Sequence, residues 1–154
     1  MSQNFAAQVA KLPAGGVGFL NLDASGALKV VQSEGPAEAA TMVTGTSGNV
    51  AAASAAASLP AVAGKTNYLT GFDITSSGST GAAVVLAALT GLLGGTISYV
   101  YTTVAGATLA NPQLSVRFQT PLPASAVNTA ITLTLPSLGT GNTNAITTVY
   151  GYVQ

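Results

Sequence analysis

Residues 114–119 read Leu-Ser-Val-Arg-Phe-Gln, and this short stretch decides the fold. Leu114, Val116 and Phe118 alternate with Ser115, Arg117 and Gln119. Side chains along a strand point to opposite faces in turn, so the alternation predicts a strand with one face buried and one in solvent. Pro121 and Pro123 are expected to stop it, because proline cannot donate to a ladder.

The same period continues in both directions. Upstream, Tyr68, Thr70, Phe72 and Ile74 alternate with Leu69, Gly71, Asp73 and Thr75, and SSGSTG (76–81) reads as a turn. Residues 82–92 are expected to form a buried strand ended by Gly91 and the Gly94-Gly95 pair. TISYVYTTV (96–104) follows as a strand by its β-branched and aromatic content. Downstream, Ile131, Leu133 and Leu135 alternate with Thr132, Thr134 and Pro136. SLGTGNTN (137–144) is loop-like, and AITTVYGYV (145–153) is the closing strand. Roughly six or seven strands with turn signals about every ten residues match a sandwich or barrel. No strand–helix alternation supports a doubly wound or TIM arrangement. The long connections at 105–113 and 119–130 suit a jelly roll or Greek key. The Cys…Trp…Cys marks of an immunoglobulin-like sandwich are missing. The expected class is all-β, a jelly-roll β-sandwich.

The N-terminal part reads differently. In VGFLNLDASGALKVV (17–31) two apolar runs flank Asp23-Ala24-Ser25-Gly26, a hairpin with a four-residue turn. Leu20 and Leu22 share one face of this arm hairpin, as do Leu28 and Val30. Residues 32–50 read as a connector broken by Gly35-Pro36. AAASAAASL (51–59) reads as a short helix or, at least equally, an extended edge strand. The division expected is an arm over residues 1–50 and a sandwich over 51–154. MSQNFAAQVAKLPAGG, at the start, has no basic region followed by an apolar run, so no secretory signal is expected.

Composition narrows the chemistry. Four basic residues (Lys11, Lys29, Lys65, Arg117) balance four acidic ones (Asp23, Glu34, Glu38, Asp73), and charged residues make up 5% of the chain. An ordinary soluble domain carries about 25%. There is no His, Cys or Trp. That removes an imidazole base or metal ligand, a Ser-His-Asp triad, a thiol nucleophile and a disulfide. The expectation is a protein without enzymatic activity, cofactor or metal. Four scattered cations cannot neutralise a run of phosphates, so no nucleic-acid partner is expected. AAVVLAALTGLLGG (82–95) is apolar but shorter than the roughly 20 residues of a spanning helix, and no Lys/Arg cluster flanks it. No membrane partner is expected either.

Individual motifs mostly dissolve. Ala63-Gly64-Lys65-Thr66 resembles the end of a phosphate loop, but Leu59 stands where its first glycine belongs, and a strand follows in place of a helix. Asp23 could open a calcium loop ending at Glu34, but Leu28, Val30 and Val31 occupy the middle of that segment. Asp73 is expected to cap a turn or to pair with Arg117 or Lys65. Tyr99 with Tyr101, and Tyr150 with Tyr152, are Tyr-x-Tyr pairs, each on one face of a strand. They read as a platform for sugar or a partner, or as core or inter-subunit packing. The second is favoured, and the four are the candidate oligomer or partner interface.

The strings LTGFDIT (69–75), LTGLLGGT (89–96), PLPASAVNTAITLTLPSLGTGNTNA (121–145) and VYGY (149–152) resemble small structural proteins of tailed bacteriophages. The likeness covers roughly residues 60–154, and DASGALKV (23–30) is similar to the opening of many virion proteins. It is a likeness of sequence style and does not separate head from tail. The resemblance implies a jelly roll, assembly as a homotrimer, and a place on the capsid surface as a decoration (cement) protein bound to the major capsid protein. A tail or fibre component, or a carbohydrate- or receptor-binding jelly roll, is the alternative. The resemblance implies no catalytic residues. Charge depletion fits it, since residues 74–116 carry no charge and interface cores are depleted of charge.

Overall fold

The computed structural model describes residues 21–22, 28–29, 40–106 and 108–154. The chain forms two compact units, Met1–Gly35 and Pro36–Gln154. In the first, β1 (Asn21–Leu22) pairs antiparallel with β2 (Leu28–Lys29), with Leu22 opposite Leu28 and Asn21 opposite Lys29. This pairing lies within the hairpin expected over 17–31. The turn residues Asp23–Gly26, and Leu20 and Val30, lie outside the described residues.

The second unit holds β3 (Thr41–Thr46), β4 (Ala55–Leu59), β5 (Asn67–Ser77), β6 (Ala83–Thr90), β7 (Ile97–Thr103), β8 (Leu114–Pro123), β9 (Ile131–Leu135) and β10 (Asn144–Val153). There is no helix among the described residues. One sheet has the order β3-β10-β5-β8 and the other β4-β9-β6-β7, with every pairing antiparallel. The two pack face to face, so the chain is an all-β sandwich. The pairing is nested: β3 with β10, β4 with β9, β5 with β8, and β6 with β7. Eight strands laid out as one long hairpin and then rolled up would pair in this order.

Period-2 alternation builds the core. Leu59, Leu69, Phe72, Ile74, Leu89, Ile131, Leu133, Leu135 and Val149 are fully buried between the sheets. Each such side chain contributes about 1.5–3 kcal/mol. Ala55 and Ala57 keep β4 slim, so it lies close to the facing sheet. At Gly45 in β3 a Cβ would overlap the Ser58 carbonyl oxygen of β4. The edge strands β3 and β4 therefore meet backbone to backbone and close that side of the sandwich.

Four expectations change. Thr41–Thr46, read as connector, is an edge strand of the sandwich, so the sandwich begins before residue 51. The strand at 82–92 is buried only in its second half, and Val84 and Leu86 face solvent. A run apolar on both faces hides its periodicity. Pro121 and Pro123 do not stop β8, which continues to pair as far as Pro123 opposite Tyr68. An outermost strand pairs on one side only and tolerates proline. Finally, the alternation over 68–75 is broken by a bulge at Thr70. Leu69 pairs with Leu122 and Gly71 with Arg117, so residues 118–121 of β8 stand against Thr70 alone. The bulge puts Leu69, Phe72 and Ile74 inside, and leaves Tyr68 and Asp73 on the outer face.

Candidate functional site

The four tyrosines divide between inside and outside. On β7, Tyr101 is buried, and its hydroxyl shares a 2.8 Å hydrogen bond with Ser76 Oγ. Tyr99 packs edge-on against Phe72, with centroids 4.9 Å apart. Burial raises both phenol pKa values, so neither is primed as a base or nucleophile. Tyr101 belongs to the core of this chain, and Tyr99, partly buried on the same strand, packs against that core. Tyr150 and Tyr152 lie on the outer face of β10.

That outer face is organised by cross-strand rows. One row runs Met42, Tyr152, Tyr68, Pro123, and the next Thr44, Tyr150, Gly71, Arg117. Tyr152 stacks on Tyr68 with centroids 5.0 Å apart and planes 8° from parallel, and Tyr152 is only 6% exposed. Burial raises its phenol pKa, with the neighbouring Tyr68 adding to the shift. In the next row the Arg117 side chain crosses Gly71 and sits 4.7 Å above the Tyr150 ring.

Asp73, on the central strand β5, gathers the remaining polar groups. Ser115 Oγ donates to Oδ1 at 2.6 Å, and the Tyr150 hydroxyl donates to Oδ2 at 2.8 Å. Arg117 donates to both oxygens, at 3.0 and 2.9 Å. Asp73 thus ties β8 and β10 to the strand between them. The Arg117 hydrogen bond, assisted by Ser115 and Tyr150 and opposed by partial burial, holds its pKa at about 2. Arg117 is raised in turn, chiefly by its bond to Asp73, and Tyr150 is raised by the same carboxylate. A carboxylate with each oxygen taking two donors has no proton to give near neutral pH and little capacity to accept one. The cluster is a clamp across three strands. Of the two partners expected for Asp73, the structure selects Arg117.

The outer face of the other sheet has a different character. Val84, Leu86 and Val100 are 67%, 56% and 62% exposed, and Leu86 stands directly opposite Val100 across β6 and β7. Ala88, Ser98, Thr102, Thr132 and Thr134 share this face by alternation. It carries no charge. The sequence concealed this patch because the inward and outward residues of β6 are equally apolar.

Among the described residues, no group of three or more His, Cys, Asp or Glu could hold a metal ion. They include no helix long and apolar enough to cross a membrane. Compared with protein-family models, with curated proteins and with solved structures, the chain matches none of them.

Proposed function

We propose that the chain is a non-enzymatic structural protein of the virion surface, of the decoration type, which associates with copies of itself and binds the outside of a phage head through the major capsid protein. We read the nested strand pairing as the jelly roll that the sequence resemblance implies. The observation that carries the reading is the uncharged outer face around Val84, Leu86 and Val100. Thr, Ser, Ala and Val lose little side-chain entropy when ordered, so an interface built from them is inexpensive to form. The one ion pair among the described residues, Asp73 with Arg117, is satisfied within the chain and supports no acid–base chemistry. The resemblance implies three copies per assembly.

A carbohydrate-binding module would need open aromatic faces. Tyr152 and Tyr68 are turned against each other, and Arg117 covers Tyr150. This favours the structural reading. Electron cryomicroscopy of the native particle tests it. Density for this sandwich at regular positions on the shell is the expected result. A glycan array bound by the protein, with binding lost in Tyr150→Ala, would replace it with the carbohydrate reading.

A further inference from the structure

A sandwich has four outermost strands, and each exposes a row of backbone donors and acceptors that invites another strand. Three of the four are protected here. β3 and β4 face each other where Gly45 meets Ser58. β8 carries Pro121 and Pro123, which have no N–H to offer, and the charged Arg117. β7 (ISYVYTT) has no proline, no glycine and no charge, and is β-branched or aromatic at all but one position. Among the described residues, no strand pairs with its outer side.

We propose that β7 is the contact edge between two copies of this chain, pairing antiparallel with itself across a two-fold axis at Val100. The inference rests on the reading above that copies associate, and names where. Three observations select a second copy as the occupant. The segment is self-complementary: with Val100 opposite Val100, Ser98 meets Thr102, so like sizes and polarities face each other. Residues 74–116 carry no charge, so the axis brings no like charges together and offers nothing for an oppositely charged partner to recognise. The cross-strand pair Leu86–Val100 is repeated by the axis, so four exposed apolar side chains become one continuous row. The result is a single eight-stranded sheet shared by two subunits. Such a contact is isologous and closes on two copies, in contrast to the three that the resemblance implies.

The test uses a property of the chain, which contains no cysteine. Val100→Cys supplies one thiol per subunit. Residues directly opposite in an antiparallel pair have Cα atoms about 4.5–5.5 Å apart, within disulfide range. Oxidation with diamide at micromolar protein is expected to give a covalent dimer as the main product, while Thr44→Cys on the other sheet stays a single chain. Light scattering of the unmodified protein is expected to give twice the 15.0 kDa chain mass. Val100→Lys, at a position 62% exposed, is expected to halve that mass with an unchanged circular dichroism spectrum. A monomeric unmodified protein would overturn self-association itself. An oligomer that Val100→Cys does not cross-link, or that Val100→Lys leaves intact, would overturn the edge assignment and leave association standing.

Discussion

Arg117 and Tyr150 stand on strands that are not neighbours, yet the guanidinium lies 4.7 Å from the ring centroid. β5 runs between them, and its residue in that row is Gly71. Only a residue without a side chain lets the arginine stem lie flat across the sheet. The clamp at Asp73 therefore depends on a glycine that makes none of its hydrogen bonds.

Gly71→Ala is expected to destabilise the sandwich by about 1–3 kcal/mol, the usual cost of overpacking. A Cβ there would lie 2.6 Å from the Val116 carbonyl oxygen and 2.7 Å from Arg117 Cδ. The arginine can move, but the backbone carbonyl of a paired strand cannot do so cheaply. Urea unfolding would show a lower midpoint at an unchanged m-value.

Asp73 makes stability depend on acid. Its pKa is about 2 in the folded chain against 3.8 for the free side chain. The folded state thus favours the carboxylate. That stabilisation is present above about pH 4 and is lost as the pH falls through about 2. Arg117 is 55% exposed and solvent screens the pair, so the effect is about 1 kcal/mol. Urea midpoints measured between pH 6 and pH 2 should fall over the lower part of that range. In Asp73→Asn the contribution from this site should disappear.

Asn111 and Tyr101 share a buried network, and their loss should not be equivalent. Asn111 Nδ2 donates to Ser76 Oγ at 2.7 Å, and its Oδ1 accepts from the Val104 N–H at 2.8 Å. Asn111→Ala leaves both groups without that partner and should cost about 1–3 kcal/mol or more. Tyr101→Phe leaves Ser76 still bonded to Asn111 and should cost about 1 kcal/mol. Thermal unfolding of the two variants side by side gives the order.

Leucine position should matter more than leucine content. Leu133 is fully buried and Leu86 is 56% exposed. Leu133→Ala should cost about 2–5 kcal/mol, through lost burial and the cavity left behind. Leu86→Ala should stay within about 0.5 kcal/mol for the folded subunit. Equilibrium unfolding at low protein concentration separates these values from any effect on association.

Strand existence was legible wherever one face is polar and the other apolar, as at 114–119 and 131–135. It blurred where that contrast fails. β3 reads TMVTGT, with a glycine and three threonines that look like loop, and it becomes a strand because β10 offers it an edge. The inward turn of Tyr99 and Tyr101 could not be separated from the outward turn of Tyr150 and Tyr152 by spacing, which is identical. The difference comes from which alternate positions face the other sheet. The Asp73–Arg117 pair was one of two pairings open to Asp73, because nothing local fixes how residues far apart in sequence register across β5 and β8. The exposed row on β6 and β7 left no signal, since period 2 is invisible when both phases are apolar.

The nested pairing also constrains how the chain can be made. Thr41 pairs with Val153, the first sandwich strand with the last. β10 lies in the middle of its sheet, between β3 and β5. Until β10 has left the ribosome, β3 has no hydrogen-bonded neighbour and β5 has a bare flank. The sandwich therefore cannot assemble strand by strand during synthesis. Contacts of such long sequence separation also make folding slow. The interval before β10 arrives is when the uncharged strands are most open to one another across different nascent chains, so yield in the cell should respond strongly to synthesis rate and chaperone supply.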